Sequence, residues 1–114
     1  MLIDTHAHLY AKEFDLDRDK MILRATAAGV GRIYLPNVDL DTIDSLKKML
    51  ALSPSLYPMM GLHPCHVKED YQNVLEKIKL ELDVYQYYGV GEIGIDMYWD
   101  KTTLDFQVEA FKIK

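Results

Sequence analysis

Short apolar runs alternate with helical patterns four times along this chain, and the side chains able to do chemistry fall directly after the runs. That order constrains the fold more than any other feature. Leu2-Ile3, Arg32 to Leu35, Leu56 to Met60 and Val90 to Ile95 read as strands. Residues 17–28, 41–52, 70–87 and 102–114 carry apolar residues at helical spacing. Gly29 stops the first helix, Asp41-Thr42 can cap the second, and Pro54 lies beyond its end. A helix between two strands of one sheet requires a crossover, so the strands are expected to be parallel. Strand starts recur about every thirty residues, the size of one βα unit. The fold class is therefore α/β.

With 114 residues the chain suits a single domain. Thirteen basic against eighteen acidic residues leave a net charge of −5, which excludes a broad basic face for duplex DNA or an anionic membrane. The one cysteine, Cys65, excludes an internal disulfide framework and suits a reducing compartment. No apolar run is long enough to span a bilayer. Met1-Leu2-Ile3-Asp4 lacks the basic segment and long apolar stretch of a secretory signal, so a cytoplasmic location is expected. The last helical pattern runs to Lys114 with no Gly or Pro to end it.

Parallel strands place the residues that follow them at one edge of the sheet, the carboxyl end, where α/β folds build their sites. His6 and His8 follow the first strand, Asn37 the second, His63 and His66 the third; Glu92 and Asp96 lie on or just past the fourth. Side chains two apart on an extended segment point the same way, so the two imidazoles of His6-Ala7-His8 converge. Converging neutral imidazoles make half of a metal site. Asp4 shares their parity and is placed to orient an imidazole. A chance His-x-His at a surface is the plain alternative, and Glu92 weighs against it. A carboxylate in an apolar strand is costly unless charge-paired or metal-bound, and none of Arg18, Arg24 and Arg32 is well placed for it. Asp96 suits a ligand, a substrate hydrogen bond or a loop cap. Pro64 stiffens the turn that presents His63, His66 is expected to face solvent, and Cys65 reads as a small buried hydrophobe. The Tyr85, Tyr87 and Tyr88 cluster reads as packing. Tyr98-Trp99 suits either base stacking or a lid on the core.

Three segments then coincide: Asp4-Thr5-His6-Ala7-His8-Leu9, Gly61-Leu62-His63-Pro64 and Gly91-Glu92-Ile93-Gly94-Ile95-Asp96. In this order and spacing the chain resembles the TatD-related deoxyribonucleases, metal-dependent hydrolases of the amidohydrolase superfamily. The resemblance runs to about residue 111 and takes in Gln107 and Phe111. It implies a TIM barrel, (βα)8, of which residues 1–114 are the N-terminal half of one domain, about the first four βα units. It also implies a dinuclear divalent metal site of Zn, Mg or Mn. In that site His6 and His8 bind one ion, Glu92 bridges the pair, and His63 contacts substrate or a ligand. Glu92 and His63 are the expected catalytic residues, with Asp4 and Asp96 in supporting positions. The implied activity is phosphodiester hydrolysis on DNA ends or single strands.

The family completes its metal site with two histidines and an aspartate on later strands, for which this sequence has no counterpart. A barrel takes roughly 250 residues. The chain is therefore expected to belong to a longer protein. Taken alone it is expected to be an inactive fragment that self-associates through exposed edges and apolar faces. The rival enzymatic reading is an amidohydrolase-type reaction on an amide, ester or lactone, which a bridging carboxylate also serves.

Overall fold

The computed structural model describes residues 1–113. Strand β1 (Leu2–Asp4) leads through a 3-10 turn to α1 (Arg18–Ala27), then β2 (Val30–Pro36) and α2 (Ile43–Met49). Strand β3 (Leu56–Met59) precedes α3 (Tyr71–Val84), and α4 (Leu104–Ile113) ends the described chain. The sheet has the order β1-β2-β3 and is parallel throughout, with Asp4 beside Ile33 and Ile33 beside Leu56.

Local chemistry sets the boundaries. Gly29 ends α1 with φ near +93°, a left-handed conformation that costs glycine nothing, and its N–H returns to Thr26 O at 3.0 Å. A 3-10 turn, Leu40–Thr42, leads into α2 and is capped by Asp39, while Thr42 stands at the N-cap of α2 without a side-chain cap bond there. Asp39 Oδ1 accepts from the N–H groups of Asp41 and Thr42 at 2.9 and 3.2 Å, and Thr42 Oγ1 accepts from Asp39 N–H at 3.2 Å. Alternation along β2 and β3 then divides the side chains. Ile33, Leu35 and Leu56 are buried with Ile22 of α1, Leu46 and Met49 of α2 and Ile78 of α3. Tyr34 and Tyr57, of the opposite parity, stack with ring centroids 5.3 Å apart. A second cluster, Leu62, Val67, Leu75 and Ala110, seats α3 and α4 against the segment after β3.

The fourth strand expected over Val90 to Ile95 does not form. Tyr88 N–H and Met60 N–H reach Pro58 O and Gly89 O at 2.9 and 3.1 Å, and Gly91 N–H reaches Met60 O at 3.0 Å. Parallel pairing is thus confined to a single bridge between Met60 and Val90. Beyond it Glu92 N–H crosses to Asn37 O at 3.0 Å, which pulls the chain off β3 and toward the end of β2. Val90, Ile93 and Ile95 are 42%, 37% and 50% exposed in the described residues. No helix among the described residues is long and apolar enough to cross a membrane.

Helices α2 and α3 are tied by a charged contact. Lys47 of α2 pairs with Glu81 of α3, and the Tyr87 hydroxyl donates to Glu81 Oε1 at 2.7 Å. Burial pushes the Glu81 carboxyl up, but the Lys47 ammonium and the Tyr87 hydroxyl outweigh it and hold the group below its ordinary range. A depressed folded-state value stabilises the fold above the unfolded carboxyl's pKa, and that stabilisation is lost as pH falls through the folded value. Glu81→Gln is therefore expected to cost about 1 kcal/mol at neutral pH and almost nothing at an acid pH below the folded carboxyl's value. Urea melts of both proteins at the two pH values check the convergence.

Candidate metal centre

Residues past the ends of β1, β2 and β3 assemble the centre. Ala7 N–H donates to Tyr34 O at 3.1 Å, which keeps the segment after β1 extended beside β2. His6 and His8 accordingly point to one side, with their Nε2 atoms 3.0 Å apart. The loop behind them is fastened by Arg18, which donates to the carbonyls of Leu9 and Ala11 at 2.7 Å each and of Tyr10 at 3.2 Å. Glu92 arrives from the other side: its Oε2 lies 3.3 Å from His6 Nε2 and 3.2 Å from His8 Nε2. One ligand atom from each of the three residues falls within 4.8 Å of the others.

Glu92 Oε2 is buried and accepts no hydrogen bond, although two imidazole nitrogens stand within 3.3 Å. A buried carboxylate oxygen without a donor is costly, and a cation relieves it. The donor set, two imidazoles and a carboxylate, is one that divalent Zn or Mn accepts. The residues present therefore fit the metal the sequence implies. Burial lowers the His8 pKa below its ordinary value; Glu92 opposes the drop, and His6 and His63 add to it.

His63 takes the other carboxylate oxygen. Its Nδ1 accepts from Cys65 N–H at 3.0 Å, so in the neutral ring Nε2 carries the proton, and Nε2 lies 3.1 Å from Glu92 Oε1. The two oxygens of Glu92 thus meet unlike surroundings, a donor on one side and two ring nitrogens on the other.

The other expected residues are not among the three whose ligand atoms converge. Asp4 Oδ1 accepts from the backbone N–H of His6 at 3.0 Å, an Asx turn that shapes the loop carrying that imidazole. Asp96 is a loop organiser. Its carboxylate accepts from Tyr98 N–H at 2.8 Å and from the Cys65 thiol at 3.4 Å, while buried Gln107 pairs with its backbone N–H and C=O at 2.7 and 2.9 Å. The Tyr98 N–H bond, then the thiol, hold the Asp96 carboxyl below its ordinary range, and burial pushes the Cys65 thiol up. Cys65 is half-buried, not enclosed. His66 pairs with Asp39 at 3.1 Å, its side chain 47% exposed. Tyr98 and Trp99 form an edge-on pair, 82% and 77% exposed, so they do not lid the core. Arg24 pairs with Asp17 and Arg32 lies over the Tyr57 ring, which leaves no arginine on Glu92.

Two residues matter more than their sequence signals suggest. Asn37, fully buried, donates through Nδ2 to Asp39 O and Gly61 O at 2.8 and 3.1 Å and accepts from Thr42 Oγ1 at 2.8 Å. Gly61 has no Cβ where one would meet Glu92 O at 2.6 Å and the Gly91 carbonyl carbon at 2.7 Å. Close backbone approach at Gly61 is what sets the position of Glu92. Gly61→Ala is expected to displace the 91–92 backbone, to destabilise the fold by about 1–3 kcal/mol and to weaken Zn2+ uptake at least tenfold. Thermal melts and a zinc titration check both effects.

The match to known proteins agrees with this geometry. Residues 3–113 match the family described as TatD related DNase. An uncharacterized metal-dependent hydrolase, YabD of Bacillus subtilis, is 37% identical over 113 residues, covering 98% of this chain and 44% of the relative. The 3'-5' ssDNA/RNA exonuclease TatD of Escherichia coli is 26% identical over 96% of this chain and 42% of its own. The crystal structure of YjjV, a TatD homologue from Escherichia coli, superposes with a TM-score of 0.86 at 28% identity, over 97% of this chain and 44% of that one. The chain thus spans less than half the length of these relatives. Its parallel α/β architecture is the corresponding part of their TIM-barrel fold. On the family match and the structural likeness together, the chain belongs to the TatD related DNase family.

Proposed function

We propose that residues 1–114 form the N-terminal half of a TIM-barrel, metal-dependent phosphodiesterase that acts on DNA ends or single strands in the cytoplasm. The observation that carries the reading is the convergence of His6 Nε2, His8 Nε2 and the orphaned Glu92 Oε2 within 3.3 Å of one another. The name of the TatD relative, an exonuclease on single-stranded DNA or RNA, supports the substrate class.

In this reading His6, His8 and Glu92 would hold a divalent ion, and a second ion would depend on ligands from the rest of a barrel. Bound there, a divalent ion supplies Lewis acidity to a phosphoryl oxygen and makes water a better nucleophile at neutral pH. The chain's own contribution is orientation. His63 donates its Nε2 proton toward Glu92 Oε1, which orients the carboxylate, and the same N–H would be a donor for a substrate phosphate. No base-reading surface is required, because a phosphate rather than a base is held, and the acidic charge balance accords with that division.

Glu92→Gln is expected to lower metal content and reduce hydrolysis of single-stranded DNA by at least a hundredfold while the fold survives. Unchanged activity at limiting metal would sink the assignment. Turnover of an ester or lactone without any of DNA would assign the amidohydrolase-type reaction instead. By contrast, His63→Ala is expected to retain the metal stoichiometry and lose turnover; loss of both would make His63 a ligand. Alone, the 114-residue chain is expected to self-associate through its exposed Val90, Ile93 and Ile95 and to turn over DNA weakly, which sedimentation and a nuclease assay check.

A further inference from the structure

The Tyr10 side chain is 5% exposed and belongs to the main core cluster, yet its hydroxyl lies at the back of the metal centre. It stands 2.6 Å from Pro36 O and 2.9 Å from His8 Nδ1. A phenol has one proton to give. The carbonyl of Pro36 can only accept, and two oxygens at 2.6 Å without a proton between them would repel strongly. The phenol proton therefore goes to Pro36 O, and the hydroxyl's lone pair faces His8 Nδ1. The bond at 2.9 Å can then exist only if Nδ1 of His8 carries the ring proton. Nε2 of the neutral ring is left bare, facing Glu92 Oε2 at 3.2 Å, lone pair to lone pair.

We propose that Tyr10 is a positioning residue for the metal centre: its hydroxyl, anchored on Pro36, selects the Nδ1–H tautomer of His8 and presents Nε2 as a ligand. This rests on the reading of His6, His8 and Glu92 as a cation site. A ligating imidazole commonly gives its other N–H to a carboxylate, a carbonyl or water, and a buried phenol fills that place here. His63 shows the contrast within the same cluster. There the backbone N–H of Cys65 donates to Nδ1 and so selects the Nε2–H tautomer, and His63 meets Glu92 as a donor. Two imidazoles on one carboxylate are set to opposite tautomers by their rear neighbours. One becomes a ligand and the other a hydrogen-bond donor.

Tyr10→Phe removes the hydroxyl and keeps the buried ring. Two measurements on the 114-residue chain decide the proposal. Long-range proton–nitrogen correlation spectra of the metal-free chain are expected to show His8 protonated at Nδ1, and Tyr10→Phe is expected to shift it toward the Nε2–H form. Titration with Zn2+ alone is expected to show ten- to a hundredfold weaker binding in Tyr10→Phe. A His8 ring protonated at Nε2 in the unsubstituted chain overturns the proposal without any variant. So does a Tyr10→Phe protein with unchanged tautomer and Zn2+ affinity, even if it melts earlier, since Pro36 O or packing alone would then suffice. Failure of the unsubstituted chain to bind Zn2+ would show that His6, His8 and Glu92 by themselves do not make a cation site, while the tautomer spectra would still decide on Tyr10.

Discussion

The carboxyl edge of this sheet is held by one buried amide. Asn37 sits at the end of β2, where its N–H reaches both Met59 O and Gly91 O, at 3.1 and 3.2 Å, and its carbonyl receives Glu92 N–H at 3.0 Å. Its side chain adds Gly61, Asp39 and Thr42 to the same knot. Four segments thus meet on one residue: β2, the Asp39 cap of α2, the loop after β3, and the stretch that carries Glu92. A buried amide so fully satisfied is stabilising. The same amide left with half its partners would cost several kcal/mol, so the segments stand or fall together. Leu35 and Met60 close the apolar side beneath it, both fully buried.

Much of this was legible in the sequence because it rests on periodicity. The alternation of strand and helix patterns gives the parallel α/β order, and the His-x-His parity brings His6 and His8 to one point. Glu92 stands out because a lone carboxylate in an apolar run requires a cationic partner. What escaped that reasoning depends on contacts far apart in sequence. Tyr10 looks like any core aromatic until Pro36, 26 positions on, is found at its hydroxyl. Asn37 reads as a strand-ending residue, and nothing local reveals that its amide spans 24 positions to Gly61. The apolar stretch 90–95 misleads for the converse reason. Composition reports that these residues suit a strand, whereas pairing requires a neighbour, and Glu92 N–H is drawn to Asn37 instead.

Glycine and carboxylate divide the work of placing the centre. Gly61 permits two backbones to touch, which fixes where Glu92 begins, and His63 fixes how its carboxylate is turned. Arg18 and Asp4 do the same for the opposite wall by holding its backbone groups. None of these four needs to touch a cation to decide whether one can bind.

The imidazoles of His6 and His8 follow directly on β1, which is three residues long and exposed along its whole length. A segment with so little buried surface opens locally at far lower free energy than the sheet core. In this chain taken without the rest of a barrel, residues near the N-terminus can therefore detach while β2, β3 and their helices stay folded. A cation that binds only the closed form would suppress that opening, by about 2.7 kcal/mol at a hundred times its dissociation constant. In amide exchange, the sheet's weakest strand would then gain the most protection from a ligand it scarcely encloses.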